Sequence, residues 1–185
     1  MTTRKKTADY FLYDCGLLDE LNKYGKAYPI GSYRMDMMAW NDLDLDVEYD
    51  GMSLEKLYRL TAFIIEKFRP TWYEAKEEIS PDGKKVWFHG FETMMTGELW
   101  NVDIWFFDKA NIEETVRYCD TVARNATAEQ KRNIVALKEA LISRGLYTFD
   151  QYRSIDVYRA VIEMGVEEIE TFLTQYDIVR DWERN

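Results

Sequence analysis

Apolar and polar positions change period several times along the chain, and each change marks an element. From Thr7 to Lys23 the residues Phe11, Leu12, Cys15, Leu18 and Leu21 recur at helical spacing, with Gly25 as a suitable stop. A strand is expected near Ala27 to Ile30, running into Gly31-Ser32. Leu43 to Tyr49 alternates apolar and acidic side chains, the period of a strand with one buried face. After a turn at Asp50-Gly51, Ser53 is a good N-cap for a helix carrying Leu54, Leu57, Ile64 and Phe68, which must end before Pro70. The stretch "TWYEAKEEI" follows, then a turn at Ser80-Pro81-Asp82-Gly83. The aromatic-rich segments "KKVWFHGFETM" and "ELWNVDIWFFD" flank Thr96-Gly97 as a β-hairpin. The order to this point is α-β-β-α-β-β-β.

After Asp108 the period is helical. Helices are expected near 111–124, 128–143, 149–163 and 166–176. Thr127-x-x-Gln130 and Thr148-x-x-Gln151 have capping-box spacing, and Gly145 sits where a helix-ending glycine would. No repeat and no Pro- or Gly-rich linker separates the halves. The expected class is α+β: a small mixed sheet flanked by helices in residues 1–108, then a helical region, 109–185, packed on it.

Composition narrows the function more than the fold. The chain has 185 residues and is 46% apolar, with six Trp, thirteen Tyr and nine Phe, enough for a real core. No apolar run approaches the roughly 20 residues of a membrane helix. The opening "MTTRKKTADYF" lacks the apolar middle of a secretory signal. A cytoplasmic location without membrane association is therefore expected. Cys15 and Cys119 read as small core residues rather than a disulfide, and the sequon Asn125-Ala126-Thr127 carries no functional weight without a secretory signal. Acids outnumber bases 34 to 24, for a net charge of −10, which argues against a long nucleic acid as partner. The basic clusters Arg4-Lys5-Lys6 and Lys84-Lys85 read as solvated, with room for one small anion each.

The acids of the second strand are the chemical signal. Asp42, Asp44 and Asp46 fall on one side of it, about 7 Å apart by strand rise, where Asp is disfavoured and like charges repel. A hydrated edge strand is one reading; a divalent cation on the acidic face is the other, since Mg²⁺ takes one or two carboxylates with water and phosphate oxygens. Gly31 lets the backbone approach a ligand closely, and Ser32 adds donors for phosphate. Asp103, alone in "LWNVDIWFF", is a charge where packing needs none.

Gly31-Ser32, a gap of about ten residues, Asn41-Asp42-Leu43-Asp44-Leu45 and an acid on a later strand together resemble the signature of the nucleotidyltransferase superfamily with the DNA polymerase beta fold. That superfamily includes aminoglycoside and lincosamide nucleotidyltransferases and antitoxin-type members. The resemblance covers roughly residues 27–108. It implies that Gly31 and Ser32 hold the β and γ phosphates of a nucleotide, that Asp42 and Asp44 ligate Mg²⁺, and that Asp103 completes a two-ion site and helps activate the attacking hydroxyl. Many relatives follow the serine with an Ala-Arg-Gly-like run. This chain has Tyr33-Arg34-Met35-Asp36, in which Arg34 is the residue expected to reach a phosphate.

Other chemistries fit less well. An EF-hand needs glycine and glutamate where this segment has none, and zinc hydrolysis needs more than one His and two distant Cys. A nucleotide-sugar glycosyltransferase would be longer, and Ser32 lacks the context of a triad nucleophile. If Thr96-Gly97 is the turn, Asp103 lies opposite Gly90 and His89 on the other face, which removes His89 as a base. Trp87, Phe88, Trp100, Trp105 and Phe106 read as core before base-stacking residues, and spacing does not choose between Asp120 and Glu139 as a base. Two readings remain. One is an enzyme moving a nucleoside monophosphate, AMP above all, from ATP or another NTP to a hydroxyl of a small-molecule acceptor such as a cationic antibiotic. The other is an antitoxin-type binding module, with weak or lost catalysis, whose helical region holds a protein partner.

Overall fold

A computed structural model describes residues 2–49, 51–80, 83–148 and 150–176. The chain divides into two compact units, residues 1–123 and 124–185. The first opens with α1 (Thr3–Asp9), a π-helical turn (Tyr10–Asp14) and α2 (Leu17–Leu21). The single helix expected over 7–23 is therefore broken, because Gly16 adopts left-handed φ +77° between the π turn and α2. The first turns escape the apolar period since Arg4, Lys5 and Lys6 are polar; there the Thr2 side chain accepts from the Lys5 N–H at 3.2 Å and starts the helix.

The sheet strands are β1 (Ala27–Pro29), β2 (Asp42–Glu48), β3 (Trp72–Ile79), β4 (Lys85–Met95) and β5 (Glu98–Phe107), with α3 (Gly31–Met35) and α4 (Leu54–Phe68) between the first three. Their spatial order is β1-β2-β5-β4-β3, with β2 and β5 parallel and the other pairs antiparallel. The sheet is mixed, as expected. Met95 pairs with Glu98 around Thr96-Gly97, which sets Gly90 opposite Asp103. Pro81 and Asp82 of the expected turn lie outside the described residues, as does Asp50; the Gly83 N–H donates to the Ser80 carbonyl at 2.8 Å.

Strand alternation sends the two faces of the sheet to different tasks. Leu43, Leu45 and Val47 of β2 and Val102, Ile104 and Phe106 of β5 point to one face and are buried under α1, α2 and α4. Phe11 stacks on Phe68 at 5.6 Å and lies 5.4 Å from Trp100, and Phe68 stacks on Phe91 at 5.2 Å. Ser53 caps α4 by accepting from the Lys56 N–H at 3.2 Å. His89 also lies on this face, with the Tyr73 hydroxyl 2.8 Å from Nδ1 and Thr61 Oγ1 2.6 Å beyond. Burial lowers His89 to about 4. The other face carries the acids.

Helix α5 (Lys109–Asn125) begins where Asp108 accepts from the Asn111 N–H at 3.0 Å. Most of α5 belongs to the first unit. A change of sequence period at 108 cannot register this, since period reports an element's own apolar stripe and not its packing partner. The second unit holds α6 (Ala128–Ser143), α7 (Ser154–Met164) and α8 (Ile169–Thr171) with a π turn (Phe172–Tyr176). The Thr127–Gln130 capping box forms as expected. Thr148 and Gln151 do not start a helix: the Gln151 N–H reaches both the Thr148 Oγ1 and carbonyl, which closes a local turn, and α7 starts only at Ser154, where Asp156 accepts from the Arg153 N–H at 2.7 Å. Ile134, Leu137, Leu141, Val157, Val161 and Phe172 form this unit's core, and the buried Lys138 ammonium donates to the Tyr158 hydroxyl at 2.7 Å. Both cysteines are free thiols. Among the described residues no helix is long and apolar enough to cross a membrane.

Candidate metal and nucleotide site

The parallel pairing of β2 and β5 brings the expected acids together. Asp44 sits directly across from Asp103, and Asp42 across from Asn101. Carboxylate oxygens of Asp42, Asp44 and Asp103 lie within 4.8 Å of one another, each side chain half-buried. That span is close to twice a Mg–O bond of about 2.1 Å, and three hard oxygen donors are the set such an ion selects. The residues present thus fit Mg²⁺. Burial holds the Asp103 carboxyl above the usual carboxylate range, partly offset by a hydrogen bond from Asn101. Asn101 also donates to Asp42 Oδ1 at 2.8 Å, so it orients the cluster. Sequence reasoning overlooked Asn101; its only signal was its position two residues before Asp103.

Gly31 is pressed against the cluster. Its φ is +58°, and a Cβ there would stand 2.4 Å from Asp44 Oδ2. The contact is fixed by the Ile30 N–H, which donates to the Asp44 carbonyl at 3.0 Å. Ser32 is buried beside it in the first turn of α3. Arg34 is engaged in a bidentate ion pair across to α5: Nε to Asp120 Oδ1 at 2.7 Å and Nη2 to Oδ2 at 3.1 Å. Nothing in the sequence links two residues so far apart. Cys119, next to Asp120, is hydrogen-bonded to the Gly31 backbone, and burial raises its thiol. Asp46, the third acid of β2, stands outside the cluster; it is 2% exposed, and burial pushes it up to about 7. Lys5 lies 3.7 Å over the Tyr33 ring, Lys84 pairs with Asp108, and Lys85 pairs with Glu77 at 2.9 Å.

The aromatic residues divide by face. Trp100 and Phe106 are buried in the core and Trp87 packs against it, whereas Phe88 and Trp105 lie on the acidic face with ring centres 4.6 Å apart. His89 is on the core face, away from the acids, as expected.

No family model matches the sequence, and no curated protein is significantly similar to it. Solved structures do match. The Cid1 poly(U) polymerase with MgGTP bound aligns with a TM-score of 0.62 at 16% identity over 87% of this chain and 50% of that one. The polymerase core of TRAMP, an RNA surveillance complex, aligns at 0.61 and 16% over 88% and 50%. A cytoplasmic RNA terminal U-transferase aligns at 0.53 and 18% over 85% and 45%. The likeness is one of fold: the sheet and helices of this chain follow those of the poly(U) polymerase and of the TRAMP polymerase core. The chain spans about half the length of the solved structures it matches.

Proposed function

We propose that this protein is a Mg²⁺-dependent nucleotidyltransferase, moving a nucleoside monophosphate from ATP or another NTP to a hydroxyl group. The observation that carries this reading is the convergence of Asp42, Asp44 and Asp103 beside the glycine corner at Gly31. Asp42, Asp44 and Asp103 would hold the metal, a pair of ions that supplies charge neutralisation at the entering and leaving oxygens. Gly31 and Ser32 face the β and γ phosphates, and Arg34 supports that turn from its pair with Asp120. Asp103, on the strand beside Asp44, accepts the proton of the attacking hydroxyl. The acceptor oxygen bonds to the α-phosphorus as the bond to the bridging oxygen breaks, and pyrophosphate leaves in line.

The acceptor favoured by a net charge of −10 is a small molecule, neutral or cationic. A terminal hydroxyl of RNA is the second reading, favoured by the RNA-acting proteins among the structural matches. An ATP titration with and without Mg²⁺ is the test. Metal-dependent binding that Asp44→Ala abolishes, followed by pyrophosphate release with an acceptor, is the expected result. Absence of metal-dependent binding supports instead an antitoxin-type module that grips a protein through its helical region.

A further inference from the structure

Asp44, Asp103, Gly90 and Glu74 stand in register on β2, β5, β4 and β3, so they make one row straight across the acidic face. Gly31 closes the row at the Asp44 end. At the strand spacing of about 4.8 Å, Glu74 stands roughly 10 Å beyond Asp103. With the leaving pyrophosphate at the Gly31 end, in-line displacement brings the attacking hydroxyl from the opposite side, over Gly90.

What lies there is aromatic. A Cβ on Gly90 would stand 2.5 Å from Phe88 Cζ and 3.1 Å from Trp72 Cζ3. The missing side chain thus lets Phe88 and Trp72 each bring a ring edge onto β4 beside Asp103. The Phe88 ring is buried, with the Lys76 ammonium 5.4 Å above it and tied to Glu74 at 3.3 Å and Glu78 at 2.7 Å. Trp72 is different: the residue remains 43% exposed. On this face of β3 and β4 stand Glu74, Glu78 and Glu92 with Lys76 among them, a surplus of acid that opposes a chain of phosphates and suits a neutral or cationic ring.

We propose that the Trp72 indole, laid over Gly90 between Asp103 and Glu74, seats the acceptor, a hydroxyl-bearing ring without phosphate, its hydroxyl toward Asp103 and a donor or ammonium group toward Glu74. This rests on the nucleotidyl-transfer reading above. Stacking aligns the ring and leaves the hydroxyl at the carboxylate, while Glu74 sets the opposite end.

The test follows the indole N–H signal of Trp72 by NMR in the full chain with Mg²⁺ and a non-hydrolysable ATP analogue, the signal being assigned by its loss in Trp72→Phe. Glucosamine is expected to shift that signal, and Trp72→Ala to weaken its binding about tenfold. Glu74→Gln should weaken glucosamine several-fold but spare N-acetylglucosamine, which lacks the ammonium. No shift with glucosamine overturns the seat, a shift produced by an oligoadenylate instead overturns the class of acceptor, and equal losses for both sugars overturn the role of Glu74. Mg²⁺-dependent binding of the analogue is measured in the same samples. If it persists while the Trp72 signal stays still, only the seat fails; if it is absent, the transfer reading itself fails.

Discussion

Gly31 shows how much one atom decides at this site. Its φ of +58° and the 2.4 Å gap between its ideal Cβ and Asp44 Oδ2 leave no room for any side chain. Gly31→Ala should cost about 1–2 kcal/mol in stability from left-handed strain. It should also displace the Asp44 carboxylate, so that Mg²⁺-dependent nucleotide binding weakens at least several-fold. Thermal denaturation and an ATP titration measure the two effects. His89 makes a second prediction. Its folded value of about 4 lies below the ordinary 6.5, so between these pH values the unfolded chain binds more protons. The contribution of neutral His89 is therefore complete above pH 6.5 and is lost as pH falls through about 4, a change of about 3 kcal/mol. Denaturant unfolding of the protein and of His89→Gln should show the stability difference between them shrinking by that amount from pH 7 to pH 4. A difference that does not move with pH would remove His89 from the titrating core. The acids Asp42, Asp44 and Asp103 were legible in the sequence because charge within an apolar alternation is costly without a purpose. Asp120 was not, because an ion pair spanning 86 positions leaves no local trace.

At the scale of elements, alternation and capping chemistry were read well where each belongs to a single element. β2, the β4–β5 hairpin, α4 and α6 formed close to their expected limits. Ser53→Ala should remove the α4 cap at a cost of about 1 kcal/mol, seen as a fall of roughly 2–4 °C in Tm. Errors arose where a signal serves two structures. The Thr148-x-x-Gln151 spacing caps a helix in one context and closes a turn in another, and the aromatic residues that follow, Tyr152 with Phe172 at 5.0 Å, bury themselves without a helix at 150–153. Likewise the first apolar stripe carries on unbroken through Gly16, and only its left-handed backbone divides α1 and its π turn from α2.

For the whole molecule, the acidic face gathers charge that the fold holds against its own repulsion. Mg²⁺ at about a hundred times its dissociation constant should raise the unfolding free energy by about 2.7 kcal/mol. NaCl at equal ionic strength should not reproduce the effect, and Asp44→Ala should abolish it. Calorimetry with and without the ion reads this directly, and an equal response in the variant would remove the cluster as a metal site. The alternation of strands and helices, the identity of the acids and the face of β2 they share are local properties, because they follow from periods of two and 3.6 residues within continuous segments. That β2 lies parallel to β5, that Asp44 meets Asp103, that Asp46 is buried outside the cluster and that Trp72 reaches Gly90 are set by the folded chain. Those facts depend on which strands become neighbours. That choice is made by the shared burial of Leu43, Leu45, Val102 and Ile104 across distant segments, and no local pattern contains it.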